Sequence, residues 1–455
     1  MSQRALFLTA GAAGMYCGSC MHDNALAKAL REKGIDCLLQ PIYTPIRTDG
    51  KSVATGKLFF GGIHIYLLQQ LPWTRMMPAP IRRALDWPPL IRFATRRTHT
   101  ASAKKMGELT LSMLRGTAGH QADEVKRLVD WMVDEIRPDA VILSNLLIGG
   151  ALPELRTRLP DTRLVVLLQG DDIFLDFLEP QDRAEAIALC ERLVPCVDRF
   201  VTYSDFYAEK MGRILGISQG RMVVTPLSID LTPFAESGEA NTETDDGGSQ
   251  QATSSDAASK DDHQPQGSPF RLGYFARIAP EKGLHDLVDA FIQLRKNHND
   301  IELHVAGWLG EANQSYLDQQ LKKISDAGLK DQFEYHGSPS LEGKVQFLRS
   351  IDLFSVPTTY QEPKGLFVLE ALAAGVPVIQ PDHGEFGELI ASTGGGLVYP
   401  AGDLNALCAS IERLKQNDAL RHQLATTGRK NVARKHSIES AADTMQGILF
   451  ADEMK

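Results

Sequence analysis

Short apolar segments alternate along the chain with longer stretches that have the periodicity of amphipathic helices. The apolar segments are four to six residues long and rich in Val, Leu, Ile and Phe, as is typical of strands buried on both faces of a parallel sheet. The pattern therefore predicts an α/β fold built from βαβ units. The predicted strands are Ala5–Thr9, Ala140–Ser144, Leu164–Leu168, Phe200–Tyr203, Met222–Thr225, Phe270–Phe275, Ile301–Ala306, Phe333–His336, Leu353–Val356, Val376–Ile379 and Gly396–Tyr399.

A segment of different composition interrupts this alternation. Residues 236–268 are rich in Ser, Thr, Gly, Asp and Gln and contain few side chains that a core could bury, so we predict a disordered linker. Eight acidic residues and one lysine give the linker a charge of −7, out of −9 for the whole chain. It separates domains 1–235 and 269–436, and residues 437–455 are predicted as a C-terminal helix that could cross back onto the first domain.

Each series of strands predicts a Rossmann-like, doubly wound domain, and we expect the two domains to face each other across a cleft. Ligands of open parallel sheets bind beyond the carboxyl ends of the strands. The expected site therefore lies in the cleft between the domains.

The composition is that of an ordinary globular protein, with 43% apolar and 23% charged residues. No apolar run reaches the ~18 residues that a membrane span needs. The N-terminus resembles a signal peptide, but a buried first strand explains it better, so we expect a cytoplasmic location. The six cysteines are scattered, which argues against a disulfide framework. Cys17-Gly-Ser-Cys20 is open to a redox or metal role with His22 nearby, although we favour small residues packed beneath a tight loop.

Two carboxylates stand eight positions apart in the segment from Tyr360 to Val378. A helix is predicted from Gly365 to Ala374, so Glu362 precedes it in a loop and Glu370 lies inside it. The backbone N–H groups at the start of this helix favour an anion that lies between the two glutamates. Carboxylates on either side of a diphosphate can accept hydrogen bonds from the hydroxyls of a sugar and a ribose. The segment thus indicates a nucleotide-sugar site, the alternative being a solvated helix with a salt-bridged edge.

At these residues the chain resembles the retaining glycosyltransferases of family 4, which have the GT-B fold. Their hallmark is Glu-x7-Glu followed by Ala-(Leu/Met)-Ala-x-Gly-x-Pro-Val, and it stands here from Glu362 to Val378. The resemblance implies a metal-independent enzyme that takes a sugar from a nucleoside-diphosphate sugar bound by the second domain. The first domain would face the acceptor. Glu362 would orient the donor sugar and Glu370 its ribose, with Gly365 and Leu366 also at the donor.

Phe275-Ala-Arg-Ile-Ala-Pro-Glu-Lys-Gly283 follows the first strand of the second domain and resembles the family element Gly-Arg-x-x-x-x-Lys-Gly. The matching cations are Arg277 and Lys282, which the resemblance makes catalytic because negative charge grows on the departing diphosphate. Ala276 replaces the family glycine. A surface turn with a capping lysine is the alternative. Two cations and a helix N-terminus remove the need for a metal, so we expect no metal and no cofactor besides the donor.

Further candidate donor contacts come from three loops. Gly14 lies in Gly11-Ala-Ala-Gly-Met-Tyr-Cys-Gly18, which resembles the glycine-rich first loop of GT-B enzymes, although a purely structural turn fits equally well. Gln169 stands where many family members have a histidine, and it cannot take a proton. Its neighbour Asp171 is either a site residue or a helix cap. Glu385 lies in His383-Gly-Glu-Phe-Gly-Glu388, which resembles the family element after the glutamate pair.

A basic segment in the first domain suggests a surface partner. Residues 72–105 contain eight Lys and Arg, one acid and interleaved Trp, Met and Phe. This composition suits an anionic membrane surface or a lipid-linked acceptor, which would make the protein peripheral to the inner membrane face. The alternative is an exposed helical hairpin. No nucleic-acid module accompanies the segment, so we expect no nucleic-acid partner.

The sequence is also compatible with two other functions. Gln169, Ala276 and Lys364, which stands where the family usually has an aromatic residue, depart from the family pattern. These departures would fit a catalytically silent GT-B scaffold that binds a glycan or lipid, or a GT-B epimerase. The four retained charged residues, Glu362, Glu370, Arg277 and Lys282, favour a glycosyltransferase.

Overall fold

The structure is a computed structural model that describes residues 3–11, 18–44, 46, 52–55, 103–235 and 268–451, without the side chains of 103–106. These residues form two parallel sheets of six strands each. The α/β prediction is confirmed, and all eleven predicted strands are present. The predicted linker, 236–268, lies outside the described residues except for Ser268.

The first sheet has the strand order β2-β1-β3-β4-β5-β6. Its strands are β1 (Arg4–Thr9), β2 (Asp36–Pro41), β3 (Ala140–Leu143), β4 (Arg163–Leu167), β5 (Arg199–Thr202) and β6 (Met222–Val224). The helices of this part are α1 (Gly18–Glu32), α2 (Ala103–Leu114), α3 (Ala122–Trp131), α4 (Leu152–Arg158), α5 (Asp171–Asp176), α6 (Pro180–Leu193) and α7 (Asp205–Leu215).

The second sheet has the order β12-β11-β10-β7-β8-β9. Its strands are β7 (Phe270–Phe275), β8 (Ile301–Ala306), β9 (Phe333–Tyr335), β10 (Leu353–Phe354), β11 (Val378–Pro381) and β12 (Gly396–Tyr399). The remaining helices are α8 (Leu284–Arg295), α9 (Gln314–Asp326), α10 (Leu341–Arg349), α11 (Leu366–Ala373), α12 (Phe386–Thr393), α13 (Leu404–Gln416), α14 (Asp418–Lys435) and α15 (Ile438–Phe450).

Strand β2 is the strand that the apolar pattern missed. It lies at the edge of the first sheet and contains Asp36, Gln40 and Pro41, so it lacks the unbroken apolar run of the central strands. An edge position tolerates a terminal proline, because one side of the strand needs no ladder hydrogen bonds. Strand β11 also begins two residues later than predicted, at Val378.

Helix α15 packs against the first sheet, although it follows the second sheet in the chain. Its Ile438, Ala442, Met445 and Leu449 are buried in one cluster with residues of β1 and α1. The backbone N–H of Ile438 donates to the carbonyl of Ile229 over 3.0 Å, which fixes the start of the helix beside the first domain.

Both sheets have a switch point, where the strand order reverses. In the second sheet it lies between β7 and β10, which pair in parallel although β8 and β9 separate them in the chain. Such a reversal opens a crevice at the carboxyl ends of the two strands. The loops that follow β7 and β10 therefore meet there. Among the described residues, no helix is both long and apolar enough to span a bilayer.

Candidate active site

The loops after β7 and β10 bring Lys282 and Glu362 together. Gly283 (φ 72°) ends the first loop, and a Cβ there would lie 1.6 Å from the carbonyl oxygen of Pro357 in the second loop. This close backbone approach requires glycine. The Lys282 ammonium lies 2.7 Å from Glu362 Oε2. Two residues eighty positions apart thus form one ion pair at the switch point.

Tyr360 completes a compact polar group with this pair. Its hydroxyl lies 2.5 Å from both Lys282 Nζ and Glu362 Oε2. The side chains of Lys282 and Glu362 are 14% and 7% exposed. Burial would raise the pKa of Glu362, but the Lys282 charge and the two hydrogen bonds outweigh burial and lower it. Glu362 is therefore a carboxylate at neutral pH and can accept hydrogen bonds from a sugar.

A glycine in the next loop holds the Glu362 backbone in place. Gly384 has φ 60°, and a Cβ there would lie 2.5 Å from both the nitrogen and the oxygen of Glu362. The adjacent Glu385 N–H donates to the Glu362 carbonyl over 2.9 Å. The loop 383–385 is thus packed directly against the first glutamate of the pair.

Glu370 lies inside α11, as predicted, and has a lysine partner. Lys344 Nζ of α10 lies 2.8 Å from Glu370 Oε1, with side-chain exposures of 5% and 17%. Arg277 pairs with Glu281 on its own loop and is 39% exposed. The two glutamates of the pair therefore each contact a different lysine, and Arg277 remains at the surface of the loop.

The N-terminus of α11 points to the first domain. Gly365 (φ 74°) caps the helix and Leu366 is its first residue. A Cβ at Gly18, the first residue of α1, would lie 3.2 Å from Leu366 Cδ1. The starts of α1 and α11 thus lie close together across the cleft, and the N-terminus of a helix favours an anion.

A buried polar network crosses the cleft beside this point. Lys364 of the second domain donates to Ser19 Oγ (2.5 Å) and to Gln169 Oε1 (3.2 Å) of the first. Gln169 in turn donates to Asp23 Oδ1 (3.0 Å), whose other oxygen accepts from Thr9. Gln169 is therefore a bridge between the domains.

Asp171 holds the backbone of the loop that contains Gln169. Its carboxylate accepts hydrogen bonds from the backbone N–H groups of Leu146 (2.8 Å) and Gln169 (3.2 Å). Burial raises the pKa of Asp171 to about 7, although these two hydrogen bonds oppose the rise. Asp171 is the first residue of α5, and Gly170 is its cap.

Glu385 is buried beside the glutamate pair in an unusual state. Burial, followed by the nearby charges of Glu362 and Glu388, raises its pKa well above the usual value, and Lys364 only partly compensates. Among the described residues, its Oε2 has no hydrogen-bond partner. The surroundings of Glu385 at the edge of the cleft therefore favour its neutral form.

Glu388 makes a second contact between the domains. Its carboxylate accepts from the backbone N–H groups of Asp205 (2.9 Å) and Phe206 (2.7 Å), at the start of α7. Nothing in the sequence motif indicates this capping role, because it depends on how the domains are oriented. The motifs also do not indicate the partners Tyr360, Lys344 and Asp23, although each lies in the same domain as the residue that it contacts.

Several predicted features lie outside the described residues. Gly14 lies outside the described residues, as does nearly all of the basic segment 72–105. Cys17 is also outside them, whereas His22 is buried, with Tyr203 OH and Ser228 Oγ 3.3 and 3.1 Å from its two ring nitrogens.

The second half of the chain matches a known family. Residues 255–431 match the family model of glycosyl transferases group 1. The chain is 30% identical over 155 residues to the phosphatidyl-myo-inositol mannosyltransferase of Mycobacterium leprae, covering 34% of this chain and 39% of that protein. It is 29% identical over 181 residues to the lipopolysaccharide core biosynthesis mannosyltransferase LpsB of Rhizobium meliloti, covering 39% and 50%. The matches thus span half or less of these relatives.

A solved structure is similar over the whole chain. The complex of Anabaena HepE with UDP superposes with a TM-score of 0.64 at 15% identity, covering 98% of this chain and 99% of that one. At this identity the similarity concerns the fold, and it confirms the predicted GT-B architecture. Lys282, Glu362 and Glu370 all lie within the segment that matches glycosyl transferases group 1.

Proposed function

We propose that this chain is a retaining, metal-independent glycosyltransferase that moves a sugar from a nucleoside-diphosphate sugar to an acceptor. The observation that carries the proposal is the 2.7 Å pair of Lys282 and Glu362 at the switch point of the second sheet, inside the group 1 domain. It sets a cation and a sugar-binding carboxylate beside the N-terminus of α11, where an anion is favoured.

The cations act on the leaving group. As the bond between sugar and diphosphate breaks, negative charge grows on the diphosphate, and Lys282 and Arg277 neutralise it. Each charged hydrogen bond contributes about 1.5–3 kcal/mol, and more where it tightens in the transition state. Lys282 is already fixed by Glu362 and Tyr360, so little of its freedom is lost on binding.

The carboxylates position the donor. Glu362 accepts from hydroxyls of the transferred sugar, and Glu370 accepts from the ribose. Gln169 cannot act as a base, because an amide does not take up a proton at neutral pH, and it is hydrogen-bonded to Lys364 and Asp23. We therefore assign the acceptor's proton to the departing phosphate, with attack from the same face as the leaving group.

The first experiment tests for a donor nucleotide. UDP is the first choice, because the structurally similar HepE was solved with UDP. Thermal shifts of the whole chain are measured with UDP, GDP and ADP, for the wild type and for Lys282→Ala. A ligand at 100 times its Kd stabilises the folded state by about 2.7 kcal/mol. We expect a shift with one nucleotide, which Lys282→Ala abolishes.

Hydrolysis of the matching nucleotide sugar without acceptor then separates enzyme from scaffold. Turnover after dialysis against EDTA supports metal independence, and loss that Mg²⁺ or Mn²⁺ restores contradicts it. No thermal shift with any nucleotide and no hydrolysis would favour the catalytically silent scaffold. The departures from the family pattern at Gln169, Ala276 and Lys364 also fit such a scaffold. NMR of the anomeric proton in the product tests retention.

We also propose a lipid-linked acceptor or an anionic membrane surface as the partner of residues 72–105, at the cytoplasmic face. The support is the eight basic residues with interleaved aromatic side chains, and the relative from M. leprae is named a phosphatidyl-myo-inositol mannosyltransferase. Sedimentation with anionic liposomes is expected to fall when Arg82, Arg83 and Arg92 are changed to Ser. Unchanged sedimentation would contradict the idea.

A further inference from the structure

Two neighbouring strands of the second sheet carry the same short motif. Glu302-Leu-His304 lies in β8, and Glu334-Tyr-His336 runs through β9 to the residue after it. The strands pair in parallel with His304 opposite Glu334. Since alternate residues of a strand share a face, both histidines and both glutamates lie on one face of the sheet.

The side chains converge on a single point. His304 Nδ1 lies 3.0 Å from His336 Nε2 and 3.8 Å from Glu334 Oε2. One atom each from His304, Glu334 and His336 lies within 4.8 Å of the other two. The ligands of a tetrahedral zinc ion, with bonds of about 2.0–2.1 Å, lie about 3.3 Å apart. Small side-chain movements bring these three atoms to that spacing.

Glu302 orients the first of these ligands. Its Oε2 lies 3.2 Å from His304 Nε2, so the carboxylate accepts the proton on that nitrogen and the lone pair of Nδ1 faces His336. A histidine that donates to a carboxylate and binds metal through its other nitrogen is the usual arrangement around a bound cation. Phe347 packs edge-on against the His336 ring, with centroids 5.3 Å apart, and restricts its rotation.

The cluster is accessible from solvent. The side chains of His304, His336 and Glu334 are 13%, 30% and 63% exposed, so an ion can enter and keep a water as its fourth ligand. Two imidazoles and one carboxylate suit Zn²⁺, Cu²⁺ or Ni²⁺ better than Mg²⁺ or Ca²⁺.

We propose that His304, His336 and Glu334 bind one divalent transition-metal ion at the β8–β9 edge of the second sheet, with Glu302 as the outer partner of His304. The site is distinct from the sugar site, whose residues lie on the loops after β7 and β10. Metal-independent transfer and metal binding at this edge are therefore compatible.

The test is isothermal titration of the whole, chelator-treated chain with ZnCl₂. We expect the wild type to bind one Zn²⁺ per chain. His336→Ala and Glu334→Ala should bind Zn²⁺ at least about tenfold more weakly, and Glu302→Gln should lose about 10–100-fold in zinc affinity. His298→Ala is the matched control, because His298 is a partly buried histidine paired with Glu412 at another place. Its affinity should equal that of the wild type.

Thermal unfolding is a second readout, which distinguishes a loss of zinc binding from misfolding of a variant. Zn²⁺ should raise the Tm of the wild type and of His298→Ala. It should raise the Tm of Glu334→Ala much less, although this variant changes only a largely exposed side chain. Equal zinc affinity in the wild type, His336→Ala and Glu334→Ala would overturn the proposal. So would the absence of zinc binding by the wild type.

Discussion

The ammonium group of Lys364 lies 2.5 Å from the hydroxyl of Ser19, so a lysine of the second domain is bound by the first. Lys364 is buried and precedes the cap of α11 directly. It therefore ties the donor side of the cleft to the start of α1. The contact explains why a cation is compatible with a position that is aromatic in the family that the sequence resembles.

Replacing Lys364 should loosen the cleft. Lys364→Met removes the hydrogen bonds to Ser19 and Gln169, and we expect the free energy of unfolding to fall by about 1–3 kcal/mol. Small-angle X-ray scattering should show a larger radius of gyration. Lys323→Met is the control, since Lys323 pairs with Asp289 at a more exposed place. A Lys364→Met protein with wild-type stability and size would contradict this role.

Replacing Lys282 should slow the reaction. Lys282→Met removes the charge opposite the departing diphosphate, so we expect kcat/KM for donor hydrolysis to fall by about 10²–10³-fold. Lys322→Met, at an exposed lysine paired with Asp326, should retain the wild-type rate. A Lys282→Met enzyme within a fewfold of that rate would remove Lys282 from the proposed mechanism.

Glu385 predicts a pH dependence of stability. Its pKa in the folded protein is raised well above its usual value, so the neutral acid is favoured by folding. Its contribution to stability is complete below the unfolded pKa and is lost as the pH rises toward the folded pKa, by up to about 1.4 kcal/mol per pH unit. Glu385→Gln keeps a neutral group. Urea unfolding should show the variant gaining on the wild type as the pH rises.

The control for this pH series is Glu311→Gln, at an exposed position, which should follow the wild type throughout. A constant difference between Glu385→Gln and the wild type across the pH range would show that Glu385 is already ionised in the folded protein.

Glu388 should behave as a helix cap supplied by the other domain. Glu388→Ala leaves the N–H groups of Asp205 and Phe206 without this carboxylate, and we expect a loss of about 0.5–2 kcal/mol. Ser204→Ala removes the cap that α7 makes within its own domain, where Ser204 Oγ accepts from Tyr207 N–H. Both variants should lower stability. Glu388→Ala alone should also enlarge the particle in X-ray scattering, and equal sizes would contradict a link between the domains.

The sequence predicts the central strands because they are short apolar runs, and it fails at β2, whose Asp36 and Gln40 break the run. The motif residues Lys282 and Glu362 meet because each follows a strand at the switch point, which topology dictates. The partners of the site residues are not predictable in this way. Lys344 beside Glu370 and Ser19 beside Lys364 depend on packing between elements, which no local pattern encodes.

Asp171 illustrates the same limit. Two roles, site residue and helix cap, fit the sequence equally well, and in the structure its oxygens bind the backbone of Leu146 and Gln169. The partner Leu146 follows another strand of the sheet. Such a bond across strands becomes visible only when the register of β3 and β4 is known.

The position of α15 has a consequence for how the protein is made. Ribosomes release the chain from its N-terminus, and domains usually fold in that order. Here Ala5 and Phe7 of β1, which are synthesised before the second domain, share a buried cluster with Met445 and Leu449. The first domain therefore cannot finish its core until the second has been synthesised, so the half made first is completed last.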